Sequence, residues 1–96
     1  MSTPSAGRYR HAESARHFPD KQGGWTLVTP AGERLRLRNR SSRILWQAMM
    51  EEGASEGQLI DRLCEHFPDT SPTTVAADVR AFLRHLVGLG FVRIRR

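Results

Sequence analysis

The stretch Ser71–Val92, SPTTVAADVRAFLRHLVGLGFV, decides the fold. Ser71 offers a hydroxyl to the first unpaired backbone N–H groups of a helix, and Pro72 suits the first helical position, where its missing N–H costs nothing. Gly88 and Gly90 can close the helix by admitting a left-handed residue past its last turn. About 16 helical residues make a rod of roughly 24 Å, near the width of a small domain. At 100° per residue, Val75, Ala76, Val79, Phe82, Leu83, Leu86 and Val87 cover an arc of about 140°, wider than one packing seam needs. One side of the arc (Ala76, Leu83, Val87) is expected to pack on other helices. The other (Val75, Val79, Phe82, Leu86) is free to line a surface groove, with Asp78 and His85 on its rim.

Two further helices precede the rod. Ser41 or Ser42 can cap a helix running to Glu52, with Ile44, Leu45, Ala48 and Met49 at helical spacing, Trp46 and Met50 widening the face, and Gly53 as its stop. Ser55-Glu56-Gly57-Gln58 has the form of a capping box, and Leu59, Ile60, Leu63, Cys64 and Phe67 recur behind it on one face until Pro68. Before the helices the period changes. Trp25–Thr29, WTLVT, is β-branched and aromatic, and Pro30–Glu33 is a short turn. Arg34–Asn39, RLRLRN, alternates strictly, with Leu35 and Leu37 on one side and Arg34, Arg36 and Arg38 on the other. These two strands make a hairpin, Ala15–Phe18 adds a third strand, and Phe91–Ile94 suits a brief terminal strand. The expected fold is α+β: an N-terminal three-stranded antiparallel sheet followed by a three-helix bundle, winged-helix-like, over residues 15–96. Residues 1–14 read as a flexible N-terminal arm, with a first strand lying somewhere between Tyr9 and Phe18.

Ninety-six residues support one modest core and leave little for a deep enzyme cleft. The single Cys64 excludes an intramolecular disulfide and fits a reducing compartment. MSTPSAGRYRH has no apolar core of signal-peptide length, and no run approaches a membrane span, so a cytoplasmic protein is expected. The net charge of +5 is uneven. Residues 1–43 hold nine Lys/Arg against three Asp/Glu, and residues 44–96 hold six against seven. An acidic partner is therefore expected on the N-terminal half.

Chemistry is sparse. Cys64 sits on an apolar helical stripe, as a structural thiol does. Cys64-x-His66 has no second pair to complete a zinc pattern, and the spacing of His11 and His17 is too loose to argue for metal. The carboxylates are scattered, with no pair placed for acid–base work, and no phosphate loop is present. No catalytic residue, cofactor or metal is expected; the sequence reads as a binding module. The arginines of RLRLRN fit three readings. They are the wet face of a two-sided sheet, or a wing tracking phosphates without a base-reading helix. On the third reading they guard an edge that accepts an extended peptide as an extra strand.

Gly23–Pro30, RLRLRN with Ile44-Leu45-Trp46, Ser55–Phe67, Val75–Leu83 and Gly88–Val92 together resemble the PqqD-like family of RiPP precursor recognition elements, over about residues 20–94. The resemblance implies binding of the leader region of a ribosomally synthesised precursor peptide. The leader would add as a strand to the third strand and dock against the third helix. Carried over, Arg34, Arg36 and Arg38 supply backbone pairing and meet leader carboxylates, and Leu35 and Leu37 form the cleft floor. Val75, Val79, Phe82 and Leu86 form its wall, with Asp78 on the rim. The implied partner is a leader peptidase or other modifying enzyme, of the lasso-peptide type. A pyrroloquinoline quinone pathway protein is the alternative within the family, and a small winged-helix nucleic-acid binder the alternative outside it. No membrane partner is expected, and the chain is a monomer or homodimer; a scaffold that only dimerises through the edge is the third possibility.

Overall fold

The computed structural model describes residues 7–50 and 53–95. In chain order the elements are β1 (Arg8–His11), β2 (Arg16–Pro19), β3 (Trp25–Val28), β4 (Arg34–Leu37), α1 (Arg40–Ala48), α2 (Glu56–His66), α3 (Pro72–Leu89) and β5 (Val92–Arg95). The α+β architecture of three strands before three helices is present, with β2, β3 and β4 forming an antiparallel sheet in that order. A second sheet corrects the N-terminal expectation. Arg8–His11, placed in the flexible arm over 1–14, is a strand that pairs antiparallel with β5 in register Tyr9↔Ile94. Residues 1–6 of that arm lie outside the described residues.

Local chemistry fixes the element ends. Asp20 closes the β2–β3 turn: its Oδ1 accepts the N–H groups of Gln22 and Gly24 at 2.8 and 2.9 Å. These bonds favour the ionised carboxylate and hold its pKa below the ordinary value. Asn39, and not Ser41 or Ser42, caps α1, its Oδ1 accepting from Ser42 N–H at 2.8 Å. An amide oxygen is as good a cap as a hydroxyl, which is why the serines misplaced the start by two or three residues. The helix ends at Ala48, with Met49 as its cap, well short of Gly53. Gly53 instead takes φ +80°, and a Cβ there would approach the Tyr9 carbonyl to 2.8 Å. It lets β1 come close enough to exchange both backbone bonds with Ala54. The capping box of α2 forms as read, with Ser55 and Gln58 bonding each other's backbone N–H. Ser71 caps α3 with Pro72 behind it. Gly90, at φ +87°, ends α3 in the left-handed conformation, and Phe91 N–H returns to the Leu86 carbonyl at 2.9 Å. The chain then turns back so that β5 can meet β1.

The core gathers Leu27 and Leu37 from the sheet, Leu45 and Trp46 from α1 with its cap Met49, Leu59 and Leu63 from α2, and the central stripe of α3. That stripe is Val75, Val79, Leu83 and Leu86, none more than 3% exposed. Cys64 is half-buried and packs against this core, as its place on the α2 stripe implied. Among the described residues no helix is long and apolar enough to cross a membrane.

Loss of Leu86, which has no exposed surface, leaves a cavity, so Leu86→Ala should cost about 2–5 kcal/mol. Asn39→Ala should cost about 1 kcal/mol, through the freed Ser42 N–H at the start of α1. Urea unfolding of the two variants against the parent chain measures both.

Candidate functional site

The geometry of β4 follows from the phase of its hydrogen bonds. Thr29 N–H donates to the Glu33 carbonyl at 2.9 Å, and Asp20 N–H to the Gly24 carbonyl at 2.9 Å. In an antiparallel ladder, bonded and non-bonded pairs alternate. With the registers Leu27↔Leu35 and Phe18↔Thr26, β3 directs Trp25 and Leu27 to β4 and Thr26 and Val28 to β2. On β4, Leu35 and Leu37 therefore face β3 through their backbone. The N–H and C=O groups of Arg34 and Arg36 point out of the sheet. Among the described residues no strand pairs with that side of β4.

The two sheet edges are unequal. On β2 the outward positions are His17 and Pro19, and proline has no N–H to offer an incoming strand. His11 of β1 also lies against His17, ring centroids 4.9 Å apart. Of the two edges of this sheet, β4 is the one whose described outward positions, Arg34 and Arg36, both keep donor and acceptor groups. Side chains obey the same alternation. Arg34, Arg36 and Arg38 are exposed, Leu35 is half-buried, and Leu37 is buried in the core at 4% exposure.

The third helix corrects its own reading. Val75, Val79 and Leu86, expected in the groove wall, lie on the midline of the buried stripe and offer no surface. Leu83, assigned to the packing side, is buried with them, whereas Ala76 and Val87 are half-exposed. The arc is wide because its middle is core and each margin is half-covered. On the margin carrying Asp78 and His85, both exposed, Phe82 is half-buried and packs against the same core as Leu35. Of the four wall candidates, Phe82 alone keeps accessible apolar surface.

Sequence reading missed a cluster around Trp46, which is 1% exposed. Its indole Nε1–H donates to His17 Nδ1 at 3.1 Å, and its carbonyl accepts from His11 Nε2 at 3.0 Å. His11 stacks on the indole at 3.5 Å between centroids, and His17 stacks on Trp25 at 5.2 Å. The cluster joins β1, β2, β3 and α1. Its members come from four separate segments, and no spacing rule connects them. The β1–β5 pairing did leave a signal, because RYRH and VRIR alternate as cleanly as RLRL. Among the described residues no group of three His, Cys, Asp or Glu could hold a metal ion.

Three helices behind an antiparallel sheet whose last strand keeps a free edge define a small α+β domain of the winged-helix-like class. The chain belongs to the PqqD family: the model described as "Coenzyme PQQ synthesis protein D (PqqD)" matches residues 24–92. Among solved structures, "TbiB1 in Complex with the TbiA(beta) Leader Peptide" is similar in fold. Its TM-score is 0.74 at 24% identity, over 88% of this chain and 94% of that one. No curated protein matches the chain.

Burial pushes the His11 imidazole down to about 4, against the pull of its bond to Trp46 and with the help of the neighbouring His17. The unfolded chain takes up this proton near the ordinary value of 6.5, and the folded chain only near 4. The lowered value means that neutral His11 contributes its full stability above pH 6.5. The contribution falls as pH drops from 6.5 toward 4. Thermal midpoints across that range should decline in the parent chain, and less steeply in His11→Phe, which keeps the stacking but cannot titrate.

Proposed function

We propose that this chain binds the leader region of a ribosomally synthesised precursor peptide by strand addition to β4. It then delivers the peptide to a leader peptidase or other modifying enzyme, in biosynthesis of the lasso-peptide type. The observation that carries the proposal is the outward-facing backbone of Arg34 and Arg36 on the free edge of the sheet. Family membership and the likeness to a chain solved with a leader peptide support it. The chain acts as a non-catalytic partner, and its lone Cys64 fits work in the reducing cytoplasm.

The proposed site differs from a uniform apolar groove. Backbone pairing comes from Arg34 and Arg36, and their guanidinium groups, with that of Arg38, attract leader carboxylates. Leu35 and Phe82 supply the accessible apolar surface, with Asp78 at the margin, while Leu37, Val75, Val79 and Leu86 hold these groups in place from the core. Each new backbone bond nets about 0.5–1.5 kcal/mol. An anchor on Phe82 or Leu35 adds about 1.5–3 kcal/mol. Three or four bonds with two anchors sum to about 4.5–12 kcal/mol before ordering costs, a range that spans the roughly 8 kcal/mol that micromolar affinity requires.

Calorimetric titration with the leader region of the cognate precursor peptide tests the assignment. Phe82→Asp should weaken binding by at least about 100-fold, because it places an unpaired charge in the apolar contact. Raising salt from low to physiological ionic strength should weaken the parent complex by less than about tenfold. Binding along a phosphate backbone would lose about a thousandfold. Unchanged affinity in Phe82→Asp removes Phe82 from the site.

A further inference from the structure

One contact joins the two elements between which the peptide is proposed to lie. β4 stops at Leu37 and α1 starts at Arg40, while α2 stops at His66 and α3 starts at Pro72. The Arg40 guanidinium lies over the ring of Phe67, 5.2 Å from its centroid. It thereby ties the end of β4 to the start of α3. Arg40 also lines a cavity of about 420 Å³, together with Gly23, Arg43, Arg62 and His66. Sites for ligands occupy roughly 300–1,000 Å³.

Cations from two helices converge on this cavity, and among the described residues no carboxylate lines it. The ion pair found among those residues joins Arg80 to Glu56, on other faces of α3 and α2. The cavity's basic groups are held instead by neutral ones. Arg40 rests on the Phe67 ring, and Arg43 Nη1 donates to the Gly23 carbonyl at 3.3 Å. Gly23 has φ +90°, and a Cβ there would meet Arg43 Nη1 at 2.8 Å, so glycine keeps this approach open. His66 spends its Nδ1–H on the Arg62 carbonyl at 3.0 Å and keeps Nε2 for an incoming group. Such contacts orient charge without neutralising it. Asp20, in the same turn as Gly23, has its carboxylate committed to the N–H groups of Gln22 and Gly24. Asp61 and Glu65 share a separate cavity with Arg62, which leaves Arg40 and Arg43 to carry most of the positive field here.

We propose that this cavity takes the carboxylates of an acidic segment of the precursor peptide, adjoining the segment that pairs with β4. The assignment rests on the leader-binding reading and carries the peptide's path past the end of the strand. An extended chain advances about 3.3 Å per residue, so about two or three residues beyond the position opposite Arg38 bring it to Arg40. Its carboxylates there meet guanidinium groups that are already oriented, the setting in which charge-assisted bonds are strongest. Asp61 and Glu65, beyond Arg62, oppose a phosphate chain running on past the cavity.

Amide chemical shifts of the whole chain report the test, with four probes in turn: capped tetraglutamate, capped tetralysine, inorganic phosphate and a single-stranded oligodeoxynucleotide. Tetraglutamate should shift Gly23, Arg40, Arg43 and His66 saturably, tetralysine should not, and phosphate should bind at least about tenfold more weakly. The leader region of the cognate precursor, added to saturation, should displace tetraglutamate. Arg40→Glu with Arg62→Glu, both at exposed positions, should abolish the tetraglutamate shifts and weaken the leader by at least about tenfold. Slow exchange of the Leu35 and Leu37 amides shows that the variant is folded. Binding of tetralysine or phosphate as tight as tetraglutamate, stronger binding of the oligonucleotide at these residues, or parent-like leader affinity in the variant would overturn the proposal. So would leader and tetraglutamate bound together, with Arg34 and Arg36 protected from exchange; that result leaves strand addition standing. A leader that displaces tetraglutamate without protecting Arg34 and Arg36 would remove the strand-addition reading instead.

Discussion

The phase of one hydrogen-bond ladder constrains most of what this domain can do. β3 spends its backbone groups on both neighbours, Trp25 and Leu27 toward β4, Thr26 and Val28 toward β2. β4 is left with one satisfied side and one open side. Because side chains and backbone groups alternate with the same period, a single parity separates two tasks. Leu35 and Leu37 face the core and bond inward. Arg34 and Arg36 face solvent and leave their N–H and C=O groups outward. A one-residue slip would exchange the two sets, burying arginines and exposing leucines, so the packing that stabilises the core also fixes which amides lie free.

The third helix works under a similar division. Its midline, Val75, Val79, Leu83 and Leu86, is committed to the core. Its margins remain half-covered, Phe82 on one and Val87 on the other. The site proposed for the peptide combines Phe82 with β4, while Val87 lines a cavity with Tyr9 of β1 and Ile94 of β5. One rigid rod of 18 residues thus backs both surfaces. Gly90 is central to that plan, because its left-handed turn returns β5 to β1 and assembles the second sheet.

What the sequence made legible was mainly local. The capping box at Ser55, the Ser71-Pro72 start of α3 and the alternation of RLRL each report a short-range preference, and each appears in the structure. The cap at Asn39 was displaced because serine and asparagine compete for that role on nearly equal terms. Long-range facts were less accessible. The meeting of β1 with β5 depends on closing a loop over most of the chain, and the contact of His11 and His17 with Trp46 on three elements folding together. The width of the apolar arc on α3 was read correctly, but periodicity cannot say whether core lies at an arc's centre or at one side. Burial settles that: the core lies at the centre, and most of the expected groove wall moves inside with it.

Hydrogen exchange at single amides along β4 tests the central claim most directly. In the free chain, the Leu35 and Leu37 amides should be protected by β3, while those of Arg34 and Arg36 exchange rapidly. Saturation with the leader peptide should slow Arg34 and Arg36 strongly and leave Leu35 and Leu37 nearly as they were. Protection of Arg34 and Arg36 before peptide is added, or no gain in their protection at saturation, would contradict strand addition to this edge.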